Sequence, residues 1–266
     1  MSGLEKKRSS GSASRREFLA FTGKVAAASA LAGVAVPHVH AAEPGPIKLA
    51  LIGCGGRGTG AVADAFSTTG GPVKLVAMGD LFEDRLKASH KNLSDAFKDR
   101  VDVPPERQFV GFDAYKKAID CLGPGDVAML TTHAAFRPLH FEYAVQKGVN
   151  VFMEKSFAVD IPAVRRLFKA AEESERKNLK VACGFMWRHS AARQEVVKRI
   201  WDGAIGDVHT LRIYRVHGPV FCPKLPAGAN EMEFQIRHAV CFNWASSGFF
   251  IDWHCHNIDT ACWVKN

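Results

Sequence analysis

The chain has 266 residues, 47% hydrophobic and 23% charged, which fits one large or two medium globular domains. Its net charge is +8, but half of that excess lies in residues 1–41 and the rest is scattered without a basic block. This argues against a nucleic-acid partner or a polybasic membrane patch. Seven cysteines, an odd number with irregular spacing and no C-x-x-C, do not form a disulfide framework and read mostly as small buried hydrophobes.

Residues 1–41 read as a cleavable signal rather than as part of the fold. A basic, Ser-rich segment ends in Ser14-Arg15-Arg16-Glu17-Phe18-Leu19, and an Ala- and Gly-rich apolar stretch follows from Val25 to Val36. Val39-His40-Ala41 offers small residues for cleavage. The apolar stretch is too short for a stable membrane span. The Arg15-Arg16 pair resembles the twin-arginine signal. It predicts export through the twin-arginine machinery, with the periplasm as destination; a Sec-type signal or an uncleaved anchor is the alternative. Export of an already folded chain suits free thiols and a nucleotide loaded before export.

The mature chain opens on IKLALIGCGGRGTGAVADAF, Ile47 to Phe66. An apolar run meets a glycine turn and then a segment of helical character. The spacing Gly53-x-Gly55-x-x-Gly58, between strand and helix, is the dinucleotide fingerprint. Gly53 permits the tight turn, Gly55 lets backbone approach a pyrophosphate, and Gly58 lets helix pack on strand. Gly56 and Arg57 belong to the same candidate cofactor loop, whose helix N-terminus attracts phosphate. The next strand, Val73 to Met78, ends at Asp80, 22 residues beyond Gly58. An acid there accepts ribose hydroxyls and repels a 2′-phosphate, favouring NAD over NADP. Asp80 also reads as an N-cap for the helix beginning near Leu81.

Residues 84–107 are charged and helical in pattern as far as Pro104-Pro105, and Phe109 begins a short strand. Tyr115 to Cys121 forms a short helix, and Asp126 to Thr132 a buried parallel strand that opens into the loop His133 to Pro138. A helix from Leu139 to Gln146 leads to the strand Val149 to Met153 and then Glu154-Lys155-Ser156. A long helix spans Pro162 to Lys177 with Asp160 as N-cap, and Lys180 to Phe185 is a further strand. This alternation predicts an α/β fold with a doubly wound Rossmann sheet over residues 42–185. Residues 186–266 read as part of a second domain, with a helix from Arg193 to Asp202. In it Val208 to Val216 alternates like a strand of an antiparallel or mixed sheet.

Near the C-terminus Asp252, His254, Cys255, His256 and Asp259 crowd together. Asp252 and His256, four apart, would share one face of a helix, where the acid can orient and polarise the imidazole. The plain reading is a helix start with partly buried imidazoles. No pair sits at zinc-site spacing, so no metal site is expected.

Taken in order, the glycine loop, Asp80, Glu154-Lys155-Ser156 and Asp252-x-x-x-His256 resemble the glucose–fructose oxidoreductase / inositol dehydrogenase / rhizopine-catabolism (Gfo/Idh/MocA) superfamily, in its exported branch, over nearly all of residues 46–266. The resemblance implies a Rossmann domain followed by an α/β domain with a mostly antiparallel open sheet. It also implies hydride exchange between the carbinol of a sugar, polyol or sugar acid and nicotinamide. By position, Lys155 is implied as the cation on the reacting oxygen and the cofactor, His256 as general base, and Asp252 as orienting group. Glu154, Thr132 and His133 are implied to line the cofactor. Full-length relatives are implied to form homo-oligomers. Ser156 stands where the family usually has proline. The sequence stops ten residues after His256, where family members usually continue for more than about a hundred residues, so the second domain is expected to be incomplete. A redox-neutral NAD-dependent glycosidase and an inactive family member are the alternatives.

Overall fold

The computed structural model describes residues 45–265; the expected signal segment lies outside the described residues. Six strands form one parallel sheet: β1 (Ile47–Ile52), β2 (Val73–Asp80), β3 (Gln108–Val110), β4 (Val127–Leu130), β5 (Asn150–Met153) and β6 (Val181–Cys183). Their order is β3-β2-β1-β4-β5-β6, with every neighbouring pair parallel. The order reverses between β1 and β4, which opens a crevice at the strands' carboxyl ends.

Both sheet faces are covered, which explains the unbroken apolar runs. Leu49 and Leu51 enter one core with Val62, Phe66, Leu75, Leu86 and Met129; Ala50 and Ile52 enter the other with Ile119, Phe141, Val145 and Val151. The first core is closed by α1 (Gly56–Phe66), which buries Gly58, Ala61, Val62 and Phe66 on one stripe, and by α2 (Glu83–Ala96). The second is closed by α3 (Ala114–Ile119), α4 (Arg137–Lys147) and α5 (Ile161–Arg176). Asp160 caps α5, its carboxylate accepting from Ala163 N–H at 2.7 Å. The doubly wound Rossmann half is thus as the sequence pattern predicts.

α2 ends at Ala96, well before Pro104. Tertiary packing stops it: the Phe97 ring meets Phe66 edge-on at 5.2 Å, and Val101 bridges to Leu75 along the edge of β2. Beyond Met186 the described residues contribute α6 (Ala191–Trp201), α7 (Glu231–Arg237), α8 (Asn243–Ser246), α9 (Gly248–Asp252) and α10 (Cys255–Lys265). The strand predicted at Val208 to Val216 does not form. Strand hydrogen bonds are made to a neighbour, and among the described residues no strand lies beside it. Side chains of α10 hold the segment instead, Lys265 donating to Val208 O and Asn257 to Tyr214 O.

The cysteine reading also needs correction. Cys222 and Cys241 form a disulfide that ties the irregular chain beyond Val216 to the turn after α7. Of the free cysteines only Cys54 is fully buried, and Cys262 is exposed. Among the described residues no helix is long and apolar enough to cross a membrane.

Candidate functional site

At the end of β1, Gly53 turns with φ +98°, and a Cβ there would stand 2.7 Å from Thr132 N. Gly58 is tighter: its Cβ would stand 2.0 Å from Gly53 O and 2.5 Å from Thr131 Oγ1. The Thr131 hydroxyl itself donates to Gly53 O at 2.6 Å. Helix α1 therefore sits directly on the glycine turn. Gly55 caps α1 with no side-chain bond to its first-turn amides, and a Cβ at Gly55 or Gly56 would meet nothing within 4 Å. The free N–H groups and the helix dipole face a cleft shared with Thr59, Arg85, Ser89 and Asn92, a ready anion cradle.

Asp80 closes the other side of this crevice. It is buried, its two carboxylate oxygens accepting from Cys54 N–H at 2.6 Å and Phe82 N–H at 2.8 Å. It therefore ties the glycine loop to the β2 exit; the N-cap position of α2 is Phe82, not Asp80. Each oxygen retains a further lone pair for a hydroxyl donor. The adjoining pocket is lined by Asp80, Tyr115, Thr132, His133, Phe136 and, from α7, Ile236. Burial pushes the His133 imidazole down to about 4, with Arg85 and Arg137 acting in the same sense. The Thr132 hydroxyl pairs with His140 Nδ1 at 3.1 Å. The fit to a dinucleotide is therefore direct: open space over two glycines, uncapped amides, and an acid at the β2 end.

A second cleft holds Arg57, Glu154, Lys155, Gly184 and His256. Glu154, at the end of β5, is buried and accepts from Arg57 Nε at 2.8 Å. Lys155 Nζ donates to Asp252 Oδ1 at 2.9 Å and to the Asp252 carbonyl, both side chains about one-fifth exposed. Asp252 and His256 do not share a helix face, because α9 ends at Asp252 and a turn at Trp253-His254 precedes α10. Asp252 thus serves Lys155, and the predicted polarisation of the imidazole by Asp252 is not what the structure contains. His256 is buried with its Nδ1 unpartnered. Trp187 and Phe185 flank it at ring-centroid distances of 5.2 and 6.1 Å. Burial pushes its imidazole below the ordinary value, and the charges of Lys155 and Arg215 push it the same way.

The two clefts meet through Arg137, which the sequence reading passed over. Its guanidinium is buried and donates to the carbonyls of Thr132, Glu154 and Ser156. The available signal was a lone arginine in the loop into which the strand Asp126 to Thr132 opens. Trp187 and Ile236 were also missed, since their approach to the site depends on chain folding back from elsewhere. The described residues contain no cluster suited to a metal.

No family model matches the chain. No curated protein matches it. Solved structures share its fold. Scyllo-inositol dehydrogenase from Lactobacillus casei, with bound NAD(H) and scyllo-inositol, is 24% identical with a TM-score of 0.59, over 83% of this chain and 56% of that one. Myo-inositol 2-dehydrogenase from Lactobacillus plantarum is 24% identical with a TM-score of 0.58, over 83% and 56%. An NAD-binding protein from Listeria innocua is 16% identical with a TM-score of 0.58, over 82% and 54%. The chain therefore spans a little over half the length of these structures.

Proposed function

We propose that this chain carries the dinucleotide and carbinol site of an NAD-dependent oxidoreductase acting on a sugar, polyol or sugar acid. The observation that carries the reading is that Lys155, paired to Asp252, and the buried His256 line one cleft with Glu154 and with Arg57 of the cofactor loop. The inositol dehydrogenases that share the fold support the same chemistry.

The amides at Gly55 and Gly56 would hold the pyrophosphate, and Asp80 the adenosine ribose, while Thr132, His133 and Glu154 line the crevice. A bound nicotinamide supplies the hydride acceptor. Lys155 stabilises negative charge developing on the carbinol oxygen, an oxyanion-type role. Its ammonium is held at a defined place by Asp252. His256, whose imidazole lines the cleft with Lys155, receives the hydroxyl proton. The downward shift of its imidazole keeps it neutral, and so competent as a base, at neutral pH. The Asp80 carboxylate supports NAD over NADP, because a 2′-phosphate would meet its charge. The Arg15-Arg16 segment supports export by the twin-arginine route, and full-length relatives of the resembled family support a homo-oligomer.

The test is formation of NADH from NAD with a panel of inositols, hexoses and sugar acids. Wild type is expected to accumulate NADH with one class, its rate falling as acidification protonates His256. His256→Gln is expected to lower turnover by about 10²- to 10⁴-fold with dinucleotide binding retained. Failure to bind either NADH or NADPH refutes the reading. Aryl-glycoside cleavage without NADH build-up moves it to the redox-neutral glycosidase.

A further inference from the structure

Arg137 opens α4, where a positive charge opposes the helix dipole, and it has almost no contact with solvent. Burial pushes its guanidinium down to about 10, and the Glu154 and Asp252 carboxylates offset part of that; it stays charged at neutral pH. Among the described residues no carboxylate bonds to it directly. Its partners are three carbonyls: Thr132 at the exit of β4, and Glu154 and Ser156 at the exit of β5. The last two belong to the residues on either side of Lys155. The Ser156 hydroxyl adds a bond to Ile251 O at 2.8 Å, joining the same loop to α9 one residue before Asp252.

We propose that Arg137 is the positioning residue for Lys155, gripping the backbone on both sides of it so that the ammonium falls on Asp252 and the reacting oxygen. The planar fork of donors suits this task. One guanidinium, with five donors in a fixed plane, reaches carbonyls of two separate loops at once. The grip also supplies, through a side chain, the restraint on the Lys155 backbone that a proline at position 156 would give. The inference rests on the reading of Lys155 as the cation of the carbinol site.

Trace acetylation with sulfo-N-hydroxysuccinimidyl acetate, read by mass spectrometry at Lys155 against Lys74, measures the placement of Lys155 without turnover. In Arg137→Lys and Arg137→Gln, Lys155 labelling is expected to rise by about fivefold or more, as a loss near 1 kcal/mol would produce. Lys74 labelling, the circular dichroism spectrum and NADH affinity are expected to stay at wild-type level. On a substrate turned over by wild type, kcat falls while KM for the dinucleotide holds, and Arg137→Lys recovers less than a tenth of the rate. Unchanged Lys155 labelling in a folded variant overturns the proposal. Unfolding of both variants also overturns it, because Arg137 would then serve the whole fold rather than the lysine. Absence of NADH formation by wild type refutes the redox reading instead, and leaves the labelling result to decide the positioning role.

Discussion

Gly58 and Gly60 lie in the same helix and give a controlled comparison of local and tertiary effects. Replacing either by alanine gains about 1 kcal/mol of helix propensity. At Gly60 the new Cβ meets only the tip of the flexible Arg57 side chain, at 3.5 Å, so the gain should survive. At Gly58 it falls 2.0 Å from Gly53 O, short of ordinary 3.4 Å contact by 1.4 Å, with Thr131 Oγ1 at 2.5 Å. Neither neighbour can yield cheaply, since one is backbone of the glycine turn and the other is hydrogen-bonded to it. Overpacking of this kind costs up to about 3 kcal/mol or more, so Gly58→Ala should be destabilised by about 2 kcal/mol net. The gap to Gly60→Ala is then about 3 kcal/mol, and at this size each kcal/mol moves Tm by about 2–4 °C. Thermal and urea unfolding measure it, and NADH titration should show binding lost in Gly58→Ala and kept in Gly60→Ala. A Gly58→Ala protein as stable as Gly60→Ala, or binding NADH like wild type, would refute the close-packing argument.

Acid should weaken the fold through two depressed histidines. Burial pushes His140 down to about 3, and His133 to about 4, whereas an unfolded imidazole titrates near 6.5. At pH 5 the unfolded chain therefore binds protons that the folded chain refuses, and stability falls as pH falls below about 6.5. His140 alone accounts for about 2 kcal/mol between pH 7.5 and pH 5; urea unfolding of His140→Gln should show that much less acid loss, and equal slopes in both proteins would sink the assignment. Asp160→Ala should cost about 1 kcal/mol through loss of the α5 cap, seen as a lower urea midpoint with an unchanged m-value.

The Rossmann half was readable because its determinants are local or periodic. A parallel sheet covered on both faces writes continuous apolar runs such as Leu49 to Ile52 and Val127 to Leu130, and α5 carries its own cap at Asp160. The glycine spacing was readable because it is a short local pattern between strand and helix, although part of what excludes a Cβ at Gly53 and Gly58 comes from Thr131 and Thr132 at the exit of β4. The bounds of α2 were not, since Phe97 leaves the helix to meet Phe66. That Val208 to Val216 stays unpaired among the described residues was not, because alternation specifies a face and not a partner.

The chemistry divides in the same way. The sequence by itself determined which residue types are present and in what order: a phosphate cradle, an acid at the β2 end, a lysine after β5, a histidine near the end. Only the tertiary structure decided which of them touch. Asp252 meets Lys155 across 97 residues rather than His256 four residues away, because the turn at Trp253-His254 breaks the helix that would have aligned acid and imidazole. Arg137 gained its place only when β4 and β5 came to lie side by side, bringing three carbonyls within reach of one guanidinium. Through-space partners of this kind are set by the sheet order, and sheet order leaves no local mark on the residues that it brings together.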